Sequence, residues 1–315
     1  MKIVFLDSDT LQHPIAQPSW ASDWVEFPAT EQTTDAVVKA LGDAPICITN
    51  KIRITPAILA QCPNLKFVCV AATGYDCVDL QACSEHGITV SNVPGYSKQS
   101  VAESVIASIF MLRRNLLSYA RIGPTTWASS KHFCVHDRPI LDIQGSTLGI
   151  IGQGAIGSEV ARLASALGMN VLFAEHRGRH EVRPGYTRFE TAIMQSDIIT
   201  LHCPLTPATQ GLIGQAEIAH MKPGALLVNT ARGPLVNEDA VIDGLKTGHL
   251  GGAALDVLGK EPPAGNEPIL KLDHANLIIT PHVAWAATDG QSRLAAGIER
   301  NLQAFYEGKP INVVN

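Results

Sequence analysis

The sequence contains no apolar run approaching the roughly 18 residues that a membrane-spanning helix requires. Between Met1-Lys2 and Asp7 it offers only Ile3 to Leu6, too short for the core of a signal peptide. Its seven cysteines include no C-x-x-C pair, and an odd count is no disulfide framework, so reduced thiols in a cytoplasmic protein are expected. An excess of positive charge is missing too, and the net charge of -5 argues against a nucleic-acid surface. There is no internal repeat and no low-complexity segment. His132/His136 and His176/His180 have the i, i+4 spacing of metal ligands, but neither pair has a third ligand in a credible helix. Both read as solvated or structural, and no metal is expected. What remains is 315 residues, 46% hydrophobic and 17% charged, which suits a soluble globular protein of two domains.

Apolar runs at Ile3–Leu6, Ile46–Ile48, Leu65–Ala72 and Ile88–Val90 read as buried strands, with helical stretches such as Asp35–Leu41 and Pro56–Gln61 between them. This alternation predicts an α/β unit with a parallel sheet, ending near residue 96 at Pro94-Gly95. A helix over Lys98–Arg114 is apolar nearly all round and is expected to be buried, partly by another subunit. Residues 120 to 145 read as irregular, which is long for a loop and suggests a functional arm or an interface.

From Leu148 the pattern sharpens. Leu148 to Ile151 is a short strand that runs into Gly152-Gln153-Gly154-Ala155-Ile156-Gly157, which fits G-x-G-x-x-G. Gly152 permits a tight turn, Gly154 lets backbone approach a pyrophosphate, and Gly157 allows close helix–strand packing. A helix follows with Ile156, Val160, Leu163, Ala164 and Leu167 on one face. The next strand, Val171–Ala174, ends in Glu175, an acid about 20 residues on and placed for the ribose hydroxyls of a dinucleotide. Further strand-like runs at 198–201, 226–229, 252–255 and 277–280 lead to His202, Thr230, Asp256 and His282. Strand carboxyl ends are where open α/β sheets bind ligands, so these endings predict a single cleft. A last helix carries Leu294, Ile298, Leu302 and Phe305 on one face.

Hydride transfer to a keto acid needs a nicotinamide cofactor, a cation for the carboxylate and an acid/base at the reacting oxygen. Arg232 follows a buried strand, and its planar fork suits a carboxylate, although alone it would read as an ordinary loop arginine. His282 follows another strand and is a candidate proton donor, although a lone histidine is more often structural. Glu261 by itself is a solvated loop charge, but beside His282 it would stabilise the imidazolium. The arginines at 177, 179, 183 and 188 read as a solvated loop, with Arg177 expected at the adenosine end.

These segments together resemble the D-2-hydroxyacid dehydrogenases over essentially the whole chain. The resemblance is carried by Ala71–Asp76, Val101–Glu103, the glycine turn, His202–Thr206, Asn229–Gly233, Leu255–Val257, Glu261-Pro262 and Pro281-His282. It implies two Rossmann-like or flavodoxin-like domains with parallel sheets and a cleft between them. The substrate-binding domain would comprise 1–96 with 287–315, and the NAD-binding domain 97–286. It implies a catalytic Arg232, Glu261 and His282, with Thr73, Gly74 and Trp285 joining Arg232 and His282 around the substrate. The cofactor would be lined by Val101, Gly152, Gly154, Ala155, Ile156, Gly157, Glu175, His176 and Arg177. His202, Cys203, Pro204, Thr209, Thr230, Ala231, Arg232, Asp256, His282 and Ala284 would complete that lining.

Val283-Ala284-Trp285 after His282, with Ala174-Glu175-His176, resembles the bacterial hydroxypyruvate reductases (glycerate dehydrogenases) within that family. The chain stops where phosphoglycerate dehydrogenases often add a regulatory domain, and Glu261 replaces the glutamine of formate dehydrogenases. The expected activity is reduction of small 2-keto acids to D-2-hydroxy acids, first hydroxypyruvate to D-glycerate and then glyoxylate to glycolate. NAD(H) is the expected cofactor, with some use of NADP(H), in a homodimer that binds neither nucleic acid nor membrane. The alternative from another class is an NAD(H)-sensing binding protein like the corepressors of the same family, with little turnover.

Overall fold

Strands fall where the apolar runs predict them in the computed structural model, which describes every residue from Met1 to Asn315. The chain divides into two compact units, Met1–Ser97 with Ala286–Asn315, and Lys98–Trp285.

The first unit holds a parallel sheet of β1 (Lys2–Phe5), β2 (Asp23–Glu26), β3 (Ile46–Thr49), β4 (Phe67–Val70) and β5 (Thr89–Ser91). Its spatial order is β2-β1-β3-β4-β5, the flavodoxin-like winding. β3 and β4 are buried along their whole length, hence their unbroken apolar sequence. The edge strand β2, with acids at both ends, carries no such run and is not predicted from the sequence. The strand order reverses between β1 and β3, and there the buried Asp7 carboxylate accepts the N–H groups of Asn50 (2.8 Å), Lys51 (2.7 Å) and Ile52 (3.3 Å). An internal acid thus occupies the crevice in which such sheets usually hold a ligand. The helix Thr288–Tyr306 belongs to this unit: Leu294, Ile298 and Leu302 are buried, and Phe305 stacks on Phe67 at 4.4 Å. Gly297 lies directly on Val93, where a Cβ would not fit.

The second unit holds β6 (Thr147–Ile151), β7 (Asn170–Ala174), β8 (Tyr186–Thr187), β9 (Ile198–Leu201), β10 (Ala225–Asn229), β11 (Leu250–Leu255) and β12 (Leu277–Ile279). All pair in parallel, in the order β12-β11-β10-β9-β6-β7-β8. Alternate residues feed cores on the two faces: Leu226 and Val228 pack with the helices Lys98–Arg113 and Ala155–Ala166, whereas Ala225 and Leu227 pack on the opposite side. The order reverses between β6 and β9, which makes their carboxyl ends the ligand-binding crevice of this unit.

Two expectations need correction. Residues 120 to 145 are not irregular throughout, since a helix spans Leu116–Thr126 and a 3₁₀ turn spans Trp127–Ser129. The helix carries Pro124 within it, a residue that normally ends helices. The segment beyond is tied back by Tyr119, whose hydroxyl donates to Arg138 O (2.7 Å) and accepts from the N–H groups of Asp137 and Arg138. Leu167 is 37% exposed rather than part of the buried face, because the helix ends at Ala166 and the chain turns away at Gly168. No helix is long and apolar enough to cross a membrane.

Candidate active site

The glycine turn joins β6 to the helix Ala155–Ala166 at the point where the strand order reverses. Gly152 has φ +106°, and a Cβ there would meet the His202–Cys203 peptide at 2.6–2.7 Å. A side chain at Gly157 would strike the carbonyl of Gly152. Both glycines are therefore required by packing. Gly154 differs: a Cβ there would face open space, so the helix start is uncovered and its N–H groups are available to an anion. Ala155 and Ile156 form the first turn. Across the crevice the His202 imidazole lies 3.0 Å from Thr200 Oγ1, and burial pushes it down to about 3, so it is neutral at physiological pH. Burial likewise raises the Cys203 thiol to about 11. Thr209 shapes the following loop by donating to Pro204 O (2.7 Å) and accepting from Thr206 N–H (2.8 Å).

Thr230 follows β10, and its Oγ1 is buried without a hydrogen-bond partner. A buried orphan hydroxyl is costly, and one at the carboxyl end of the same sheet as the uncovered helix start fits a site that a polar ligand completes. Together with the space at Gly154, this suits a nicotinamide dinucleotide. Val101 is buried in the core of the helix Lys98–Arg113. Glu175 is 1% exposed, and its carboxylate is engaged within its own loop by Arg183 and by two backbone N–H groups. The Arg183 side chain above all, with these two N–H groups, holds its carboxyl down to about 2 against the opposing effect of burial, and Arg179 lies 3.8 Å away. His176 is exposed, and Arg177 pairs with Glu217 at 2.8 Å.

The chemistry-bearing residues come from the loops after β10, β11 and β12. Asn229, fully buried at the end of β10, accepts Ala231 N–H (3.1 Å) and donates to Arg232 O (2.9 Å), which fixes the backbone from which Arg232 projects. Gly233 lies on the Leu258 carbonyl with no room for a Cβ, so this loop and the one carrying Glu261 are locked together. Glu261 accepts Leu258 N–H at 2.9 Å through Oε1 and meets His282 Nδ1 at 2.7 Å through Oε2. His282 has φ +53°, a conformation that a histidine seldom adopts. Asp256 holds it there by accepting Thr280 Oγ1–H (2.5 Å), Val283 N–H (3.0 Å) and Ala284 N–H (2.9 Å). Its own carbonyl accepts His282 N–H (2.8 Å). Trp285 Nε1 donates to His282 O (2.9 Å) and closes the turn. Expected beside the cofactor, Asp256 is thus also the organiser of the histidine turn.

The structure therefore brings Glu261, His282, Asp256 and Trp285 into one hydrogen-bonded group, to which Arg232 is joined through Gly233 and Leu258. Thr73 belongs to the other unit, where its hydroxyl donates to Val93 O (3.0 Å) and its carbonyl accepts from Asn92 Nδ2 (2.7 Å). Sequence reasoning passed over Asn229, Thr280 and Arg183. An Asn three residues before a loop arginine is a legible signal, whereas Arg183 stands in a run of charges that reads as merely solvated. No three His, Cys, Asp or Glu side chains gather as a metal site.

A model of the family described as D-isomer specific 2-hydroxyacid dehydrogenase, NAD binding domain, matches residues 106–284. A putative 2-hydroxyacid dehydrogenase of Haemophilus influenzae is 46% identical over 98% of each chain. A glycerate dehydrogenase of Methylorubrum extorquens is 44% identical over 99% of this chain and 98% of its own. Among solved structures, an acyclic imino acid reductase in complex with NADPH and D-Arg superposes with a TM-score of 0.85 at 29% identity, covering the whole of both chains. The chain belongs to the D-isomer specific 2-hydroxyacid dehydrogenases and is an oxidoreductase of that family.

Proposed function

We propose that this enzyme reduces small 2-keto acids to D-2-hydroxy acids, with hydroxypyruvate to D-glycerate as the leading reaction and glyoxylate to glycolate beside it. The observation that carries the reading is the 2.7 Å contact between His282 Nδ1 and Glu261 Oε2, on a turn that Asp256 fixes. A carboxylate on Nδ1 holds the ring in the form whose Nε2–H can donate a proton to the developing alkoxide. Glu261 thereby fixes the tautomer and the orientation of the ring. Arg232 orients the substrate carboxylate through its two-pronged fork, and Thr73 and Gly74 are further substrate contacts. Bound in the crevice, the nicotinamide supplies the hydride. Trp285 packs beside the histidine turn and restricts the pocket to small acids.

NAD(H) is the proposed cofactor, with NADP(H) used to a lesser extent. The proposed assembly is a homodimer in the cytoplasm, which would cover apolar side chains such as Trp127 (59% exposed) and Phe133 (90% exposed). The test is a panel of hydroxypyruvate, glyoxylate, pyruvate and larger 2-keto acids, followed by the loss of NADH absorbance. Hydroxypyruvate should give the highest kcat/KM, and turnover of none of these acids would end the proposal. Sedimentation at micromolar concentration should give twice the chain mass, and a monomer would refute the dimer.

A further inference from the structure

We propose that Arg183 sets the choice between NADH and NADPH by withholding Glu175 from the cofactor. An acid at the end of the second strand of a dinucleotide-binding unit discriminates by accepting the ribose hydroxyls of NAD and repelling an added 2′-phosphate. Glu175 stands at that position, but its acceptors are consumed. Oε1 accepts His176 N–H (2.8 Å) and Arg183 Nη2–H (2.7 Å), while Oε2 accepts Arg183 Nε–H (2.7 Å) and Arg183 N–H (3.1 Å). A carboxylate offers about four acceptor sites, so no site is left for a ribose hydroxyl. The guanidinium is held in this two-pronged geometry by the Tyr186 ring, 3.9 Å below it, and Tyr186 leans on Phe173 of β7.

The charge on Glu175 is neutralised by the same contact. Beside it Arg179, half exposed and 3.8 Å from the carboxylate, supplies a cation, and His176 and Glu181 are also exposed on this loop. Arg177 adds little, because it is paired with Glu217. An added 2′-phosphate therefore meets one uncompensated arginine where the acid alone would repel it. Arg183 acts through Glu175 and is a positioning residue for cofactor choice. This rests on the dinucleotide site already proposed for the glycine turn, and it would admit NADP(H) there beside NAD(H).

The experiment measures dissociation constants of NADH and NADPH by fluorescence titration, and of adenosine 2′,5′-bisphosphate against 5′-AMP by calorimetry. The protein is the intact chain and its Arg183→Met and Glu175→Gln variants. The unmodified protein should bind NADPH within about tenfold of NADH, since no free carboxylate opposes the phosphate. Arg183→Met releases Glu175 and should weaken NADPH and the bisphosphate at least tenfold, with NADH unchanged or tighter. Glu175→Gln should leave NADH within about threefold and tighten NADPH, because two arginines then face the phosphate. Should Arg183→Met fail to fold, Glu175→Gln decides alone: a marked loss of NADH affinity would show that the carboxylate serves the ribose, and the inference falls. Equal weakening of both cofactors in Arg183→Met, or no change in either variant, also overturns it. Failure of the unmodified protein to bind either cofactor would instead refute the dinucleotide site itself.

Discussion

Replacing Glu261 by Gln keeps the side-chain volume and removes one charge, so it isolates what the carboxylate does for His282. Both carboxylate oxygens are in use, Oε1 by Leu258 N–H at 2.9 Å and Oε2 by His282 Nδ1 at 2.7 Å. Glutamine has one accepting oxygen and must turn its NH₂ toward one of these nitrogens. If the oxygen stays with Leu258, Nδ1 faces a donor and the ring is held neutral, a poorer proton donor at Nε2. A hydrogen bond to a charged group contributes about 1.5–3 kcal/mol. His282 and Glu261 are 25% and 35% exposed, so solvent screens the pair and the lower half of that range applies. About 1.5–2 kcal/mol corresponds to a roughly 10–30-fold slower proton-coupled step. The assay is single-turnover NADH oxidation by hydroxypyruvate at neutral pH, with NADH affinity measured separately. Hydride transfer should slow by that factor while the dissociation constant of NADH stays within about threefold. A rate within twofold of the unmodified enzyme would refute the pairing as a catalytic device.

Arg232→Lys keeps the charge but loses the fork, and should raise KM for hydroxypyruvate at least tenfold with little change in NADH affinity; an unchanged KM removes Arg232 from the carboxylate site. Asp256→Asn must turn an NH₂ toward Thr280, Val283 or Ala284, and should cost roughly 1–3 kcal/mol in denaturant unfolding together with a loss of kcat. Unaltered stability and kcat would show that the His282 turn holds itself. His202 is pushed down to about 3 by burial, so between that value and about 6.5 the unfolded chain binds a proton that the folded one refuses. Stability therefore falls as pH drops through that window, by up to about 1.4 kcal/mol per pH unit from this group. Urea unfolding should show a shallower slope for His202→Asn, and identical slopes would mean that His202 is not held neutral.

Much of this was legible in the sequence because parallel sheets bury both faces and write their strands as apolar runs. β3, β4, β9 and β10 are such strands, and each was read directly. β2 and β8 escaped because an edge strand buries little: Asp23 and Glu26 bracket the one, and the other is only two residues long. The helix through Pro124 was hidden by a residue that normally ends helices. Within the site, the motif residues were found through the backbone they require, as with Gly152 against the His202–Cys203 peptide. The partner of Glu175 was not, because which of four loop arginines folds back onto a carboxylate depends on the course of the loop. Tyr186 beneath the guanidinium decides it, and no spacing rule announces that contact.

In the proposed mechanism His282, fixed by Asp256 and hydrogen-bonded to Glu261, donates the proton that completes keto-acid reduction. Pre-steady-state hydride transfer from NADH to hydroxypyruvate in His282→Ala tests it most directly, with NADH binding measured on the same sample. The expected rate is lower by roughly 10²–10⁴-fold with cofactor affinity retained. Hydride transfer within a few-fold of the unmodified enzyme would contradict it and place the proton donor elsewhere.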